Sequence, residues 1–592
     1  MFARFDDLRP HRRRSFQLDD PIEILSTTAV DEVADVIAAA ERAVARHKWV
    51  AGFVGYEAAA AFDESLVVRD VSGTRVEELP LAWFAVFDQR GTTTPHHGRY
   101  ELGPWNPSTD QAEHHAAISE IRRLIREGHT YQVNHTFRLD ASFTGDALAL
   151  YSDLASSQTC GYGSFVDAGR WAVASASPEL FFEWRHDRIV SRPMKGTTDR
   201  GTTLSDDEER RQRLFGSEKD RAENLMIVDM VRNDLGRISR VGSVEVPELF
   251  STEKYDTVWQ MTSTVQGRPL PEVGLVDVFG ALFPCASITG APKVSTMEII
   301  ARLETTPRGV YCGTVGFGGP GPTGPQWAFN VAIRTVLIDR DRQLAMYGTG
   351  GGITYDSTPG DEYAEAMLKT QVLERRSADL QLVETMRWDP DSGFFELARH
   401  LSRLSDSAWY FDVPLDPAEV RAGLDRATRG AEQGLKVRLL VDRTGWITIE
   451  TEPLPPPAPQ PVTLAIDAER VDANDPLLFH KTTSRSVYDE AAQRHPEADD
   501  VVLVDRAGNV TETTIGNLAV MIDGAWVTPP VGDGLLAGVR RAALLSSGEL
   551  VERSVTIDEL RAAPAIARVN AVRGWEPATL IAGQAADRSA AE

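Results

Sequence analysis

The sequence has 592 residues, enough for about four ordinary domains. Its 42% hydrophobic and 25% charged residues exclude a disordered or fibrous chain. The 62 Lys and Arg against 87 Asp and Glu give a net charge of −25, which argues against nucleic acid or an anionic membrane surface as a partner. No run reaches about 18 apolar residues, so we expect no membrane-spanning helix. The cysteines Cys160, Cys285 and Cys312 form no CxxC pair, which favours a reducing, cytoplasmic location over a disulfide framework.

The first part of the chain, to about residue 375, mixes short strand patterns with helix patterns. Strands are predicted at Trp171–Ala176, Arg188–Ser191 and Trp327–Leu337, and helices at His114–Arg126, Asp220–Val231 and Tyr363–Glu374. The strands occur in clusters and do not alternate regularly with helices. This order favours an α+β fold over a doubly wound sheet.

A second part begins after the polar stretch at 374–378. Strands are predicted at Leu380–Met386, Val462–Ile466 and Asp500–Asp505, helices at Phe394–Ser407 and Pro417–Gly430, and a hairpin from Lys436–Val441 and Trp446–Thr451. The stretch Glu452–Pro461 contains six prolines and predicts a stiff, extended connector. We therefore predict two domains, 1–375 and 376–592, the second with lobes at about 376–452 and 462–592.

Two of the predicted helices each carry a pair of carboxylates on one face. Asp220 and Glu223 are three residues apart, and so are Glu362 and Glu365, so each pair shares a helix face. Two such helices could together hold a hard cation such as Mg2+, which prefers oxygen ligands. Ordinary solvated helix faces are the alternative that spacing alone leaves open.

Two glycine-containing segments could also carry chemistry. Tyr347–Ile353 has four glycines in five positions, which lets backbone N–H groups approach an anion, although a tight turn is an equally simple interpretation. Lys195 lies beside a glycine in Pro193–Thr197, after a predicted strand. A desolvated lysine has a lowered pKa and can act as a nucleophile, whereas a solvated surface lysine cannot.

In this order the segments resemble the chorismate-utilising enzymes: anthranilate synthase, isochorismate and salicylate synthases, and aminodeoxychorismate synthase component I. The matching segments span roughly residues 120–372 and are SPEL (177–180), PMKGT (193–197), KDRAENLMIVDMVRNDLGR (219–237), SITGAPK (287–293), RGVYCG (308–313), FNVAIRT (329–335), GGGIT (350–354) and DEYAE (361–365). The resemblance implies an anthranilate-synthase-component-I-like two-sheet β-sandwich wrapped by helices.

The resemblance also implies a role for each candidate residue. Glu223 and Glu365, with Asp220 and Glu362 nearby, are implied to hold the Mg2+ that grips the ring carboxylate of chorismate. The implied contacts to the rest of the substrate, including its enolpyruvyl carboxylate, are Arg334, Tyr311, Lys369, Gln132, Thr197, Ser287 and the backbone of Gly350 and Gly352. Glu179 resembles the general acid that protonates the departing C4 hydroxyl.

Two positions distinguish among the members of this family. Lys195 stands where anthranilate synthases carry alanine, and in aminodeoxychorismate synthases this lysine is implicated as a nucleophile at C2 of chorismate. Gln132 stands where isochorismate and salicylate synthases carry a water-activating lysine. Both positions favour amination at C4. No cysteine lies in the glycine-rich elbow of a glutaminase, so we expect a separate glutamine amidotransferase subunit to supply ammonia, with free ammonia as the alternative.

The C-terminal part carries the elements of a pyridoxal phosphate (PLP) site. Such a site needs a lysine, a carboxylate facing the pyridine nitrogen and a phosphate cradle. Lys481 in HKTTSR and Glu512 in VTETTIGNL could supply the first two, and a helix N-terminus after Glu512 could supply part of the third. Lysine and glutamate are common residues, so the spacing alone does not decide.

These strings, with VETMRW (383–388), HLSRL (400–404) and GLLAGVRR (534–541), resemble the fold-type IV PLP enzymes. That family includes branched-chain aminotransferase, D-amino-acid aminotransferase and 4-amino-4-deoxychorismate lyase. The resemblance implies a two-lobed, D-amino-acid-aminotransferase-like fold, a homodimer through this domain, and PLP attached to Lys481 with Glu512 at its pyridine nitrogen. The implied phosphate ligands are Arg403, Gly516, Asn517 and the backbone of Val539.

The fusion of the two parts favours a lyase over an aminotransferase, because a lyase would consume the product of the first half. The sequence therefore predicts conversion of chorismate and ammonia to 4-amino-4-deoxychorismate, and then to 4-aminobenzoate and pyruvate for folate synthesis. The alternative is an anthranilate synthase component I-like enzyme with an appended aminotransferase-like or non-catalytic domain.

Overall fold

The computed structural model describes residues 1–9, 12–93, 96, 98–158, 160–373, 380–457 and 461–581. The chain divides into two compact units: unit 1 comprises 1–200 and 210–377, and unit 2 comprises 201–209 and 378–592. The expected domain boundary at residue 375 lies outside the described residues, as does part of the proline-rich connector. Within the described ranges, no helix is long and apolar enough to cross a membrane.

Strands dominate unit 1. They are β1 (Phe2–Asp7), β2 (Arg14–Asp19), β3 (Glu23–Thr27), β4 (Trp49–Val54), β5 (Ala82–Phe87), β6 (Tyr100–Leu102), β7 (Asn106–Pro107), β8 (Gln132–Gly145), β9 (Tyr162–Ala168), β10 (Trp171–Ser177), β11 (Leu180–Arg185), β12 (Arg188–Arg192), β13 (Met194–Asp199), β14 (Glu245–Lys254), β15 (Val258–Gly267), β16 (Gly290–Ala291), β17 (Thr314–Gly321), β18 (Gly324–Val331), β19 (Thr335–Asp339) and β20 (Leu344–Ile353). Sheet 1 has the order β16-β8-β20-β19-β10-β9-β1-β2, with β6 and β7 beside β8, and sheet 2 has the order β13-β15-β12-β11-β18-β17-β4-β5-β3, with β14 beside β15.

The two sheets pack face to face and helices cover their outer faces. Phe5, Val166 and Leu337 of sheet 1 share one buried cluster with Phe53 and Val315 of sheet 2. The helices are α1 (Val33–Ala45), α2 (Gln111–Arg126), α3 (Ala147–Ser156), α4 (Leu204–Gly216, which begins in the segment that groups with unit 2), α5 (Glu218–Gly236), α6 (Leu275–Leu282), α7 (Lys293–Leu303) and α8 (Pro359–Leu368). Helices α1, α5 and α6 bury apolar side chains against sheet 2, and α3 buries its own against sheet 1. The expected α+β sandwich wrapped by helices is confirmed.

Three local expectations for unit 1 are wrong in detail. The segment Trp327–Leu337 is not one strand but two, β18 and β19, because the chain leaves sheet 2 at residue 332 and Arg334 adopts a φ of 50°. The glycine run at 347–353 is not a turn but the end of β20, where small residues allow close packing: a Cβ on Gly348 would lie 2.3 Å from the Tyr311 ring. The helix predicted at Tyr363–Glu374 is α8, which begins earlier, at Pro359, and ends at Leu368 with Lys369 as its C-cap.

Unit 2 has two lobes, each built on one sheet. The smaller contains β21 (Leu382–Asp389), β22 (Gly393–Phe394), α9 (Leu397–Tyr410), α10 (Pro417–Thr428), β23 (Leu435–Val441) and β24 (Ile447–Pro453). The larger contains β25 (Val462–Val471), α11 (Ser486–Arg494), β26 (Asp500–Asp505), β27 (Asn509–Thr513), β28 (Asn517–Ile522), β29 (Ala525–Thr528), α12 (Val539–Ser547), β30 (Val551–Glu552), β31 (Val555–Thr556), α13 (Ile557–Ala562), β32 (Ile566–Asn570) and β33 (Gly574–Leu580). Their strand orders are β22-β21-β23-β24 and β30-β29-β28-β32-β33-β25-β26-β27-β31.

The two lobes are joined by backbone hydrogen bonds at Lys481. The Val383 N–H donates to the Lys481 carbonyl at 2.8 Å, and the Thr483 N–H donates to the Gln381 carbonyl at 2.9 Å. The expected helix after Glu512 is wrong: the chain turns at 514–516 and enters β28. The helix N-terminus near this region belongs to α12, which begins at Val539.

Candidate active sites

A β-bulge presents Lys195 at the edge of sheet 2. The pairing of β13 with β15 shifts register between Met194 and Thr197, and Gly196 has a φ of 93°, which favours glycine. A Cβ on Gly196 would lie 2.9 Å from the Cβ of Asp220, so the bulge packs directly on α5. The nucleophile candidate is therefore held against the helix that carries one pair of carboxylates.

Two amide side chains hold this bulge by its backbone. The Asn224 amide donates to the Lys195 carbonyl at 3.2 Å, and its oxygen accepts a 2.6 Å bond from the Ser263 hydroxyl. The Gln260 amide donates to the Gly196 carbonyl at 2.8 Å. Sequence reasoning missed Asn224 and Gln260. The only indication of a role for Asn224 in the sequence is its position beside Glu223. Helical spacing does not predict which backbone carbonyl its side chain reaches.

The ends of the Lys195 and Gln132 side chains meet over Gly352. A Cβ on Gly352 would lie 2.2 Å from Gln132 Nε2 and 2.8 Å from Lys195 Nζ. Gln132 is buried, and neither its amide nitrogen nor its oxygen has a partner among the described residues. Burial lowers the pKa of Lys195, although the charges of Glu223 and Glu179 oppose the shift. The site thus holds a lysine with a lowered pKa and an amide that a bound molecule would satisfy.

Glu179 lies between β10 and β11 with 3% of its surface exposed. Burial raises its pKa to about 7, against opposing effects of a hydrogen bond with Ser287 and the charge of Lys195. Within the described part of the chain, its Oε1 has no hydrogen-bond partner. A carboxylic acid with this pKa can hold a proton at neutral pH and give it to a leaving group. Thr197, by contrast, is exposed and donates to Gln260 Oε1 at 2.9 Å.

The carboxylates of α5 and α8 influence one another. Burial raises the pKa of Glu223, and the neighbouring charges of Asp220 and Glu365 add to that rise. Burial and the charge of Glu365 likewise raise the pKa of Glu362. No three His, Cys, Asp or Glu side chains converge on one point among the described residues. The group suits a cation held by one or two carboxylates with water and substrate in the remaining positions.

Lys369 is tied to its own helix and to the glycine run. Its ammonium lies 2.8 Å from Glu365 Oε1 and donates to the Gly350 carbonyl at 2.9 Å. Burial alone would raise the pKa of Glu365, but the contact with the Lys369 ammonium holds that pKa below its usual range. About half of each side chain is exposed, and such a pair contributes only about 0–1 kcal/mol. An incoming anion could therefore replace Glu365 as the partner of Lys369 at small cost.

Arg334 lies at the break between β18 and β19. Its guanidinium donates to Gln158 Oε1 at 2.9 Å and lies 5.9 Å from the Tyr255 ring centre. No carboxylate lies within 4.0 Å of it among the described residues, so its charge is available to an anion. Tyr311 packs on Gly348, and the Arg138 guanidinium lies 4.6 Å from its ring centre.

The second site centres on Lys481 and Glu512 in unit 2. Burial and the charge of Arg403 together lower the pKa of Lys481 to about 8. The Glu512 carboxylate accepts hydrogen bonds from the Tyr488 hydroxyl at 2.9 Å, the Leu536 N–H at 3.1 Å and the Asn517 amide at 3.2 Å. Burial raises the pKa of Glu512 to about 7. Both groups are largely enclosed, and a PLP site needs such a lysine and such a carboxylate.

The expected phosphate ligands surround the segment 536–539. Arg403 donates to the Ala537 carbonyl at 3.1 Å, and the Asn517 amide donates to the Leu536 carbonyl at 2.8 Å. Gly516 precedes Asn517 in the turn after Glu512, and Val539 is the first residue of α12. Among the described residues, no side chain caps the N-terminus of α12. Uncapped N–H groups beside an arginine suit a phosphate.

Family comparison decides the classification of the larger part of the chain. Residues 7–375 match the model of the chorismate binding enzymes. The chain belongs to the chorismate binding enzyme family. Residues 381–581 match the model of amino-transferase class IV, as expected for the C-terminal part.

Individual relatives agree with this classification. The chain is 38% identical over 259 residues to aminodeoxychorismate synthase component 1 of Bacillus subtilis (strain 168), covering 44% of this chain and 54% of that protein. It is 41% identical over 274 residues to aminodeoxychorismate synthase of Streptomyces griseus, covering 46% and 37%. The crystal structure of anthranilate synthase component I from Streptococcus pneumoniae TIGR4 superposes with a TM-score of 0.51 at 25% identity, over 60% of this chain and 91% of that one. The chain thus spans about half the length of the Bacillus relative and less than half the length of the Streptomyces relative.

Proposed function

We propose that the protein converts chorismate and ammonia to 4-amino-4-deoxychorismate in unit 1, and that unit 2 then releases pyruvate to give 4-aminobenzoate for folate synthesis. The observation that carries the first half is the meeting of Lys195 and Gln132 over Gly352. Lysine provides a nucleophile, whereas glutamine cannot activate water as a general base. The names of the Bacillus and Streptomyces relatives support the same reaction.

In the proposed first reaction, the Lys195 amine bonds to C2 of chorismate while the C4–O bond breaks. Glu179 gives its proton to the departing oxygen, so water leaves. Ammonia then bonds to C4 while the bond between C2 and the Lys195 nitrogen breaks, which restores the lysine, and the new C4 ammonium returns a proton to Glu179. The lowered pKa of Lys195 and the raised pKa of Glu179 both favour the protonation states that this sequence needs.

The proposed substrate grip uses both carboxylates of chorismate. Arg334 and Lys369 bind the enolpyruvyl carboxylate, with Tyr311 and the backbone of Gly350 and Gly352 beside it. Glu223 and Glu365, with Asp220 and Glu362, would hold Mg2+. When bound, that cation neutralises the ring carboxylate. Ser287, Thr197 and Gln132 complete the proposed contacts of the substrate ring.

For unit 2 we propose PLP as the resident cofactor. Lys481 would carry it, Glu512 would face its pyridine nitrogen, and Arg403, Gly516, Asn517 and Val539 would hold its phosphate. When bound, PLP supplies an electron sink. The chain's own part is proton transfer at C4 of the substrate by the Lys481 amine, whose pKa of about 8 lets it both accept and return a proton near neutral pH. A homodimer through this unit belongs to the same proposal.

We propose that a separate glutamine amidotransferase subunit supplies the ammonia. The cysteines Cys160, Cys285 and Cys312 are all buried, and burial raises the pKa of each thiol. A buried thiol of raised pKa is a poor nucleophile for glutamine hydrolysis. Three free thiols also support the cytoplasmic location that we propose.

The decisive experiment incubates the purified chain with chorismate, an ammonium salt and Mg2+, with and without PLP, and identifies the products. We expect 4-amino-4-deoxychorismate without PLP, and 4-aminobenzoate with pyruvate when PLP is present. Anthranilate as the product would overturn the first half. Accumulation of 4-amino-4-deoxychorismate despite bound PLP would overturn the second half and favour an aminotransferase-like or non-catalytic domain.

A further inference from the structure

A cluster of three charged or titratable side chains lies beside Lys481, and two of its members, Glu384 and His400, have no role in the proposal above. Glu384 on β21 is 2% exposed and meets two residues of α9, His400 and Arg403. Arg403 donates to both carboxylate oxygens, from Nε at 2.9 Å and from Nη2 at 2.7 Å. His400 Nδ1 lies 2.6 Å from Glu384 Oε2. We call these three residues the Glu384 cluster.

The chemistry of the three side chains determines which of them donates and which accepts in the Glu384 cluster. An ionised carboxylate only accepts, so His400 Nδ1 must carry the proton that it shares with Glu384. Burial disfavours the charged carboxylate, but Arg403 and His400 overcome that effect and lower the pKa of Glu384 to about 2. Glu384 is therefore an anion held by three donors, and its plane cannot rotate without breaking at least one of them.

This arrangement leaves one part of Arg403 free to bind an anion. A guanidinium has five N–H groups, and Glu384 occupies one on Nε and one on Nη2. Nη1 donates to the Ala537 carbonyl at 3.1 Å. One N–H on Nη1 and one on Nη2 have no partner among the described residues. Arg403 thus offers its remaining donors beside the segment that leads into the uncapped N-terminus of α12.

We infer that Glu384, assisted by His400, is a positioning residue that aims Arg403 at the phosphate of the bound cofactor. The inference rests on the proposed function, which makes Arg403 a phosphate ligand. Glu384 also belongs to the strand that is hydrogen-bonded to Lys481, because the preceding residue, Val383, donates to the Lys481 carbonyl at 2.8 Å. Two consecutive residues of β21, Val383 and Glu384, would therefore position Lys481 and Arg403 respectively.

A buried carboxylate–arginine pair is often only a packing feature, so the test must separate aiming from stability. We would titrate the purified full chain with PLP and follow the cofactor's absorbance. Glu384→Asp keeps the charge but withdraws the carboxylate by one methylene. We expect it to raise the Kd for PLP about tenfold, the size of one charge-assisted hydrogen bond. Arg403→Ala should raise the Kd at least as much.

The double variant Glu384→Asp/Arg403→Ala gives the sharpest test. If Glu384 acts through Arg403, the double variant binds PLP no more than about threefold less tightly than Arg403→Ala alone. Effects that multiply would show that Glu384 acts independently and would overturn the inference. If Glu384→Asp does not fold, His400→Asn serves instead: we expect the Kd for PLP to rise about fivefold for the loss of one hydrogen bond to Glu384, and a rise below about twofold would overturn the inference.

Asp467 provides a matched control in the same unit. It is a buried carboxylate that pairs with Arg494 and lies 3.4 Å from His495, so like Glu384 it has one arginine and one histidine as partners. Asp467→Asn should lower the melting temperature but leave the Kd for PLP within about twofold. An equal loss of affinity in this control would assign the effect to stability and overturn the inference.

The same titration separates failure of this inference from failure of the proposed function. If the wild type binds no PLP, the proposed cofactor itself is wrong. If the wild type binds PLP and Glu384→Asp binds it equally well, only the role of Glu384 is wrong.

Discussion

The two candidate sites differ in how far their buried carboxylates and amides are hydrogen-bonded. In unit 1, both atoms of the Gln132 amide and one oxygen of Glu179 are buried without a partner among the described residues. In unit 2, Glu512 accepts three hydrogen bonds and Glu384 accepts three. Unmet hydrogen-bonding capacity costs stability until a ligand satisfies it, whereas a paired site is organised before its ligand arrives. The contrast fits a transient substrate in unit 1 and a resident cofactor in unit 2.

The sharpest way to separate the two sites is to remove Lys195. Lys195→Ala should lower amination of chorismate by about a thousandfold or more, because the covalent route loses its nucleophile. Release of pyruvate from added 4-amino-4-deoxychorismate should be unchanged. Product analysis by chromatography measures both rates on one sample, and circular dichroism checks folding. Amination at the wild-type rate would remove Lys195 from the proposed mechanism.

A smaller disturbance of the same site is a methyl group at Gly352. Its Cβ would meet the mobile ends of Gln132 and Lys195, not the backbone, so Gly352→Ala should displace both side chains while leaving the fold intact. We expect kcat/KM for chorismate to fall roughly 10- to 100-fold, as expected for a misplacement near 1 Å. Gly280→Ala, where a Cβ meets nothing within 4 Å, is the control. A similar loss in both variants would contradict the steric argument.

Asn224 should have a more modest effect. Asn224→Ala removes the hydrogen bond to the Lys195 carbonyl, and we expect kcat to fall about tenfold with little change in KM. Ser263→Ala removes the donor to the Asn224 oxygen and the acceptor of the Phe250 N–H, and it should cost about twofold. Steady-state rates over a range of chorismate concentrations distinguish the two parameters. A change confined to KM would indicate that Asn224 supports binding instead of the nucleophile.

The smallest expected effect is a dependence of the amination rate on pH. Because burial raises the pKa of Glu179 to about 7, its protonated form, which the proposal requires, is lost as the pH rises through 7. We expect kcat to fall several-fold between about pH 7 and pH 8. The rate must be measured at a constant concentration of unprotonated ammonia, since that concentration itself rises with pH. A flat profile across this range would argue against Glu179 as the acid.

The sequence predicts element types well where the local pattern is strong. The strand at Asp500–Asp505 and the helix at His114–Arg126 agree with β26 and α2 to within a few residues. The pattern fails where tertiary packing decides. Arg334 interrupts the segment predicted as one strand, and the glycine run forms a strand because it pairs with β8, while Gly348 makes room for the Tyr311 ring.

The candidate sites are predictable from the sequence only in part. Resemblance selects Lys195, Lys481 and Glu512 because their neighbouring residues form specific strings. It does not select Asn224 or Glu384, although both lie inside those strings, because their role depends on which backbone carbonyl or side chain comes within hydrogen-bonding distance in the folded chain. Spacing does predict the ion pair between Glu365 and Lys369, which are four residues apart on α8 and its C-cap.

The hydrogen bonds between Gln381–Val383 and Lys481–Thr483 have a consequence for how unit 2 unfolds. They attach a strand of the smaller lobe to the segment that carries the lysine in the larger lobe. Neither lobe can melt without releasing donors and acceptors of the other, so the two lobes are expected to lose structure in a single cooperative transition. Protection of the Val383 and Thr483 amides from hydrogen exchange should therefore report the global stability of the unit rather than local fraying.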